Sequence, residues 1–582
     1  MSVPSVDAGH VDRRAKSPAA GAAAPALTEL LRRISDARLP LAAPGAEEGR
    51  ALRRELASQI EDYLLPRLEH PDAPLLVVLG GSTGAGKSTL LNSMLRKPVT
   101  EAGVLRPTTR VPVLIHHPAD TAHFAGASVL RGFERTTEAL APRAEEDLSE
   151  RPRIRLLADE AVPQGLALLD SPDVDSASAW NRSAARQLLA AADLWLFVTT
   201  ASRYADAVPW SLLTEAEARG TTIALVLDRV PAAANREVRH HLTELLTGAG
   251  LGASPLFTVP ELELEDGLLP ESAVFTLTSW VMNLGRSEEA RRRVASRTLG
   301  GALAAVPETA ERLADGLAAQ EEAHAALATA VDDAFAAASS ALAEALTSGR
   351  VLRGEVLARW QDFVGTGQFF RGLEPTVARI RDRITATVTG RRDTAGPLRQ
   401  AIESAAAVLI REQAVAAVST ARIRWEEDRA GRAVMEECGA PERFRVPADF
   451  DVQARTAVSS WAEEVSALVR DLGQSARAKA RILSFGVDGV ACVLMLAALS
   501  GPHDSRGRGT LAVAGTLLAT SFGEEAARDL AATVRTRLLD RAQSLLSGCR
   551  SGFDMTLSAA EVPPRQAGAL RGSAGRLQEA LR

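Results

Sequence analysis

The segment Gly81-Ser82-Thr83-Gly84-Ala85-Gly86-Lys87-Ser88 constrains this chain more than any other. It fits the pattern GxxxxGK[ST] in full, follows an apolar run at 75–79 and precedes a helical run at 89–95. Glycines let a backbone wrap phosphates closely, and the loop N–H groups and helix N-terminus then face negative charge. Gly81, Ser82, Thr83, Gly84, Ala85, Gly86, Lys87, Ser88 and Thr89 are therefore candidate nucleotide-binding residues. Lys87 is expected to reach the β- and γ-phosphates of a nucleoside triphosphate, and the Ser88 hydroxyl to ligate Mg²⁺. A chance glycine-rich loop is the bland alternative, and motif and context together weigh against it.

The surrounding texture is α/β. Short apolar runs recur at 111–117, 166–169, 194–199, 222–227 and 256–259, with helical stretches or loops between them. Such buried runs alternating with helices predict a mostly parallel, doubly wound sheet. A longer insertion, 118–164, carries an extra strand pattern near 153–157.

The strand pattern at 166–169 ends in Asp170-Ser171-Pro172-Asp173. A carboxylate at such a strand end can hold magnesium through water, so Asp170 joins the nucleotide and metal set. Between the two motifs lies Arg106-Pro107-Thr108-Thr109-Arg110. A threonine on such a loop can coordinate Mg²⁺ and sense the γ-phosphate. Thr109 is the first choice and Thr108 the second. The candidate catalytic residues are thus Lys87, Ser88 and Thr109, and the metal candidates Ser88, Thr109 and Asp170. The strand pattern at 222–227 leads into Asp228-Arg229-Val230-Pro231, which adds Asp228 and Arg229 as base-side candidates.

From about residue 286 the pattern is almost wholly helical, with apolar residues at three- and four-residue spacing over 303–346, 397–434 and 452–481. Those lengths predict an elongated bundle punctuated at Pro307, Pro397 and 441–447. One stretch departs from this texture. Residues 482–499 are apolar except for Ser484 and Asp488, a polar link spans 500–509, and a second apolar stretch spans 510–522. Eighteen residues are borderline for a membrane span and thirteen too few, since about 20 are needed. A re-entrant or interfacial hairpin fits, with Phe485, Val487, Val490, Leu494, Leu496, Leu517 and Leu518 as membrane candidates and flanking Arg477, Lys479, Arg481, Arg506 and Arg508 near anionic headgroups. A buried hairpin inside the bundle is the other reading.

With these motifs in order, the chain resembles Era-like and dynamin-like GTPases, and its late-interrupted helical tail looks like that of a bacterial dynamin-like protein. The resemblance spans roughly 45–550, with its sharp motifs between 81 and 231. It implies an α/β P-loop GTPase domain with a doubly wound, mostly parallel sheet, joined to a long all-α bundle with an apolar hairpin tip. The domains follow: a tail at 1–25, helices at 26–70 packing on the stalk, a GTPase domain at 71–285, and a bundle at 286–582 with a membrane paddle at 482–522. The implied activity is GTP hydrolysis with Mg²⁺. The implied partners are a second copy through the GTPase head, anionic lipid and a second related GTPase; the implied place is the cytoplasmic face of the cell membrane.

The chain departs from the family pattern at three points. The third motif is usually DxxG, and Asp173 replaces its glycine. The fourth is usually NKxD; Asp228 stands at the Asn position, Arg229 at the Lys position and Pro231 where the guanine-reading Asp is expected. Val259-Pro260-Glu261 is the fifth-motif candidate. The position four after Asp170 is Val174, so the familiar water-orienting Gln is missing, and Thr83 and Gly84 occupy the places of polar dynamin loop residues. Slow intrinsic turnover is expected. Pro231 keeps an ATPase in view, and a soluble switch whose arm binds proteins is the main alternative to a membrane-working enzyme.

Composition narrows the remaining classes. The 582 residues are 46% apolar and 24% charged, and the net charge of −6 gives no basic bias toward nucleic acid. No apolar signal segment opens the chain, so a secretory address is not expected. The cluster Trp360–Arg371 reads as bundle core or as an interfacial loop. His116 and His117 read as structural rather than as a metal pair.

Overall fold

The computed structural model describes residues 18–101, 111–126, 129–138, 152–175, 179–218, 220–364, 395–472, 476–500 and 512–582. Thr108 and Thr109, Arg506 and Arg508, and the glycine-rich part of the aromatic cluster lie outside them. By internal contacts the chain forms two compact units. One comprises 1–39, 45–318 and 563–582; the other comprises 40–44 and 319–562.

The first unit is built on an eight-stranded sheet. Its strands are β1 (Leu75–Gly81), β2 (Val113–His116), β3 (Glu134–Thr136), β4 (Arg153–Ala158), β5 (Leu166–Asp170), β6 (Leu194–Thr200), β7 (Thr222–Val230) and β8 (Leu256–Pro260). They lie in the order β3-β4-β2-β5-β1-β6-β7-β8, and only the β2–β5 pair is antiparallel. The mostly parallel, doubly wound sheet expected from the sequence is therefore present. Alternate residues separate cleanly. Leu76, Val78, Leu169 and Phe197 face one helical layer, while Leu75, Val77, Leu168 and Leu196 face the other. Strands covered on both faces must be apolar at every position, which is why they read as unbroken runs. The short edge strand β3 has no such run and escaped the sequence reading.

The same unit holds a helical layer outside the sheet. The helices Pro18–Asp36 and Ala46–Gln59 pack with the first half of Glu288–Thr347 and with Gln566–Ala580 around Leu27, Leu30, Ile34, Leu313 and Leu577. The first helix begins at Pro18, inside the segment read as a tail, because Ala23 and Leu27 bury against this layer. The helix Glu288–Thr347 also runs through Pro307 rather than stopping there.

The helical turns Ile60–Leu64 and Leu65–Glu69 continue the helix Ala46–Gln59, and Asp193 ties them to the sheet. Its carboxylate accepts bonds from the Tyr63 hydroxyl at 3.2 Å, Arg67 Nε at 3.0 Å and the Leu76 backbone N–H at 2.8 Å, and it also meets Arg67 Nη2. Arg67 and Asp193 are both buried.

Among its described residues the second unit is helical. Its helices are the remainder of Glu288–Thr347, Glu355–Val364, Ala395–Glu427, Arg429–Cys438, Phe450–Leu472, Ala476–Ala498, Ala512–Phe522 and Glu524–Ala559. Three buried tryptophans organise the core. The Trp425 indole donates to the Leu327 carbonyl at 3.0 Å, and the Trp461 indole to that of Val534 at 2.9 Å. Trp360 is fully buried and stacks on Phe363 with centroids 5.8 Å apart, so the described end of the aromatic cluster is core.

The apolar hairpin lies in this core as well. Val490, Leu494, Leu496 and Leu518 are buried, and Val487 packs against them. Of the two readings open at the sequence level, this arrangement is the packed one. Gly486, at φ 73° and ψ 164°, breaks the helix before the apolar stretch begins to pack. The side chains of Phe485 and Leu517 lie outside the description. Among the described residues no helix is long and apolar enough to cross a membrane.

Replacing Asp193 by Ala leaves the Arg67 guanidinium buried without its counter-charge. Such losses cost about 3–5 kcal/mol. A denaturation series on the whole chain is expected to show a matching fall in the transition of the sheet unit, and Arg67→Leu with Asp193→Leu together are expected to lose less than Asp193→Ala alone.

Candidate nucleotide site

The phosphate loop leaves the C-terminal end of β1 and enters the helix Lys87–Leu95. Two glycines there have close neighbours. A Cβ on Gly81 would lie 2.1 Å from the Val198 carbonyl oxygen, and one on Gly86 (φ 92°) would lie 2.4 Å from Asp228 Oδ2. The loop thus lies hard against β6 and β7, and glycine is the residue that permits it. Ala85 is buried, and Leu90 N–H donates to the Gly86 carbonyl at 2.8 Å, closing the first turn. Thr89 follows in that turn and accepts the Ser93 hydroxyl on its carbonyl.

Lys87 is buried. Its ammonium donates to the carbonyls of Gly81 at 3.0 Å and Ser82 at 3.1 Å, and to Asp173 Oδ1 at 2.5 Å. The substitution in the third motif therefore sits on the lysine itself. Ser88 Oγ donates to Asp170 Oδ2 at 2.6 Å. Strand pairing places Asp170 beside Leu79 of β1, which brings the two motifs together.

Asp170 is wholly buried, and burial pushes its carboxyl up, while the Ser88 hydroxyl and the Lys87 charge pull it down. Its Oδ1 makes no hydrogen bond of normal geometry; the buried Thr100 hydroxyl, which makes none either, lies close enough to help pull the Asp170 carboxyl down. A carboxylate oxygen and two hydroxyls converging at one spot form a hard oxygen set of the kind Mg²⁺ prefers. The residues present fit that ion.

Three further residues were missed in the sequence: Asp175 and Arg203, which act on the phosphate loop, and Asn92, which holds residues 99–100. Asp175 Oδ1 accepts from the Thr83 backbone N–H at 2.6 Å and its hydroxyl at 2.8 Å. Arg203, just after β6, donates to the Thr83 carbonyl at 2.9 Å and to Asp175 Oδ2 at 3.1 Å. Asn92 accepts the N–H groups of Val99 and Thr100 on Oδ1 and donates to the Thr100 carbonyl, fixing the start of the segment that leads to Thr109. Asp175 and Arg203 are far apart in sequence and belong to no spaced motif, so pattern alone had no means of pairing them.

On the base side, Asp228 ends up beneath Gly86 and is buried. Burial lifts its carboxyl to about 6, with the Arg229 backbone N–H and charge opposing the rise. Arg229 is exposed at φ 54°, inside a register irregularity between β7 and β8. Glu261, at the end of the fifth-motif candidate, donates its N–H to the Val230 carbonyl at 3.0 Å. The two histidines are structural: His116 stacks on Phe124, and His117 Nδ1 accepts from the Ala119 N–H.

Residues 77–229, which span the phosphate loop, Asp170 and Asp228, match the model of the dynamin family. Over these residues the chain is similar to the dynamin family. Two solved chains of an oligomerised bacterial dynamin pair, described as a mechanism for long-range sensing and tethering of membranes, are similar to it. One is 10% identical, covering 91% of this chain and 95% of that one at a TM-score of 0.40. The other is 11% identical, covering 92% and 95% at 0.39. No curated protein matches the chain.

The raised Asp228 carboxyl gives a signed pH dependence. Its folded value lies above the unfolded one near 4, so ionisation opposes folding above about pH 6 and the penalty vanishes below about pH 4. Asp228→Asn is therefore expected to raise nucleotide-free stability at pH 7.5, by roughly 2–3 kcal/mol, with the advantage shrinking toward pH 4.5. Denaturation of both proteins at the two pH values checks this.

Proposed function

We propose that this chain is a dynamin-like GTPase that binds GTP with Mg²⁺ in the sheet unit and uses hydrolysis to drive self-assembly at the inner face of the cell membrane. The observation that carries the chemistry is the convergence of the buried Lys87, the Ser88–Asp170 hydrogen bond at 2.6 Å and the unpaired Asp170 Oδ1 at one strand end. Ser88, Asp170 and, from its loop, Thr109 would hold the magnesium, which when bound neutralises charge on the β- and γ-phosphate oxygens.

The chain's own groups do the rest. The loop N–H groups and the start of the helix Lys87–Leu95 hold the phosphates. Lys87 stabilises charge developing on the bridging and γ-oxygens, and water is the nucleophile. No Gln stands four positions after Asp170, so intrinsic turnover is slow and rises when a second head completes the site. Removing the charge of Lys87 as Lys87→Ala is expected to lower GTP hydrolysis roughly 10²-fold or more. GTP and ATP competition for the site checks the base preference left open by Asp228 and Pro231.

The neighbours are described as tethering membranes, and tethering or remodelling is the role proposed here for the 482–522 hairpin, in contact with anionic lipid and beside a second copy or a related GTPase. The burial of Val490, Leu494, Leu496 and Leu518 favours a second reading, a switch whose bundle binds protein partners without lipid. Sedimentation with anionic liposomes, with and without GTP, separates the two. Lipid binding by wild type and Lys87→Ala alike, with GTP-dependent release only in wild type, supports the membrane reading. A chain that stays in the supernatant in every state supports the second.

A further inference from the structure

An ammonium has three N–H donors, and all three of Lys87's have partners within the chain: the carbonyls of Gly81 and Ser82 and the carboxylate of Asp173. The two carbonyls belong to the strand end and loop that the phosphates themselves require. Asp173 is the only charged partner of the three. A γ-phosphate arriving at Lys87 can restore the lysine's charge balance only by taking the place of that carboxylate, because two anions on one buried cation repel each other. A diphosphate meets Lys87 through its β-phosphate alone and leaves the γ-phosphate position to the Asp173 carboxylate.

The segment carrying Asp173 is stitched onto the loop on either side. Ser171 Oγ donates to the Leu79 carbonyl at 2.7 Å, and Asp175 holds Thr83 through two hydrogen bonds. Asp173 therefore stands where the family's third motif places a glycine N–H for the γ-phosphate, and it does so on a fixed segment. Resting on the GTPase reading above, we propose that Asp173 is the residue that sets discrimination between triphosphate and diphosphate: it is the internal anion that a γ-phosphate must displace from Lys87.

The test is the affinity of the whole chain for GTPγS and for GDP, with Mg²⁺ and with EDTA, for wild type, Asp173→Asn, Asp173→Ser and Asp173→Glu. Removal of the carboxylate is expected to tighten GTPγS binding about tenfold and to change GDP binding by less than about threefold. Asp173→Glu keeps the charge and is expected to keep the wild-type ratio. In the nucleotide-free state Asp173→Asn is expected to melt earlier, since it leaves Lys87 buried without its counter-charge, and GTPγS is expected to raise its melting point more than that of wild type. Asp173→Ser serves the same comparison if the Asn variant does not fold. An unchanged GTPγS-to-GDP ratio in the folded Asn or Ser variant overturns the proposal. So does weaker GTPγS binding confined to the Mg²⁺ arm, which would make Asp173 a metal ligand instead. Wild-type chain that melts cooperatively yet binds neither nucleotide would instead refute the guanine-nucleotide reading beneath it.

Discussion

A lysine ammonium buried at the end of a β-strand must be neutralised, and much of the nucleotide site is arranged around that requirement. Lys87 is held by two backbone carbonyls and one carboxylate. Taking a cation out of water is costly unless paired and hydrogen-bonded partners replace the lost solvent. The phosphate loop supplies the carbonyls only because glycine lets it press against β6 and β7. The third-motif segment supplies the carboxylate because it returns over the loop and is anchored there by Ser171 and Asp175. The lysine is thus preorganised for an anion and carries one of its own.

Around this centre the carboxylates divide by environment. Asp170 is buried with an unpaired oxygen, a costly arrangement that a hard cation and its water would relieve. Asp175 is held ionised, against the effect of its partial burial, by hydrogen bonds from Thr83 and the charge of Arg203. Asp228 has little but its own flanking Arg229 to oppose its burial, and its carboxyl rises accordingly. Burial thus pushes the Asp170 and Asp228 carboxyls up, while the donors facing Asp175 pull its carboxyl down.

The helical unit presents a different balance. Trp425 and Trp461 each pair an apolar body with an indole donor that finds a backbone carbonyl, so this bulk is buried with its polar groups satisfied. The apolar hairpin joins it because, away from lipid, side chains such as Leu494 and Leu496 gain most by burying against their own bundle. Gly486 and Gly523, both at positive φ, mark the breaks that bound the two apolar helices of this hairpin.

Much of the sheet unit was legible in the sequence. Six of the strands read as apolar runs, the central ones because both faces of the sheet are covered, and the glycine-rich loop declares its lysine and serine through fixed local spacing. Local spacing also placed Asp170 and Asp228 at strand ends. Strand β3 stayed hidden because a short edge strand needs no apolar run, and the helix at Pro18 because its alanines resemble a tail until a partner layer buries them. The contacts of Asp173 with Lys87, of Asp175 and Arg203 with Thr83, and of the hairpin with the bundle core required the tertiary structure. Each joins residues that chain order leaves apart, and each depends on which groups end up sharing a site from which water is excluded. The sequence by itself determined the chemistry that this protein carries; packing decided which charge faces which, and where the apolar hairpin lies.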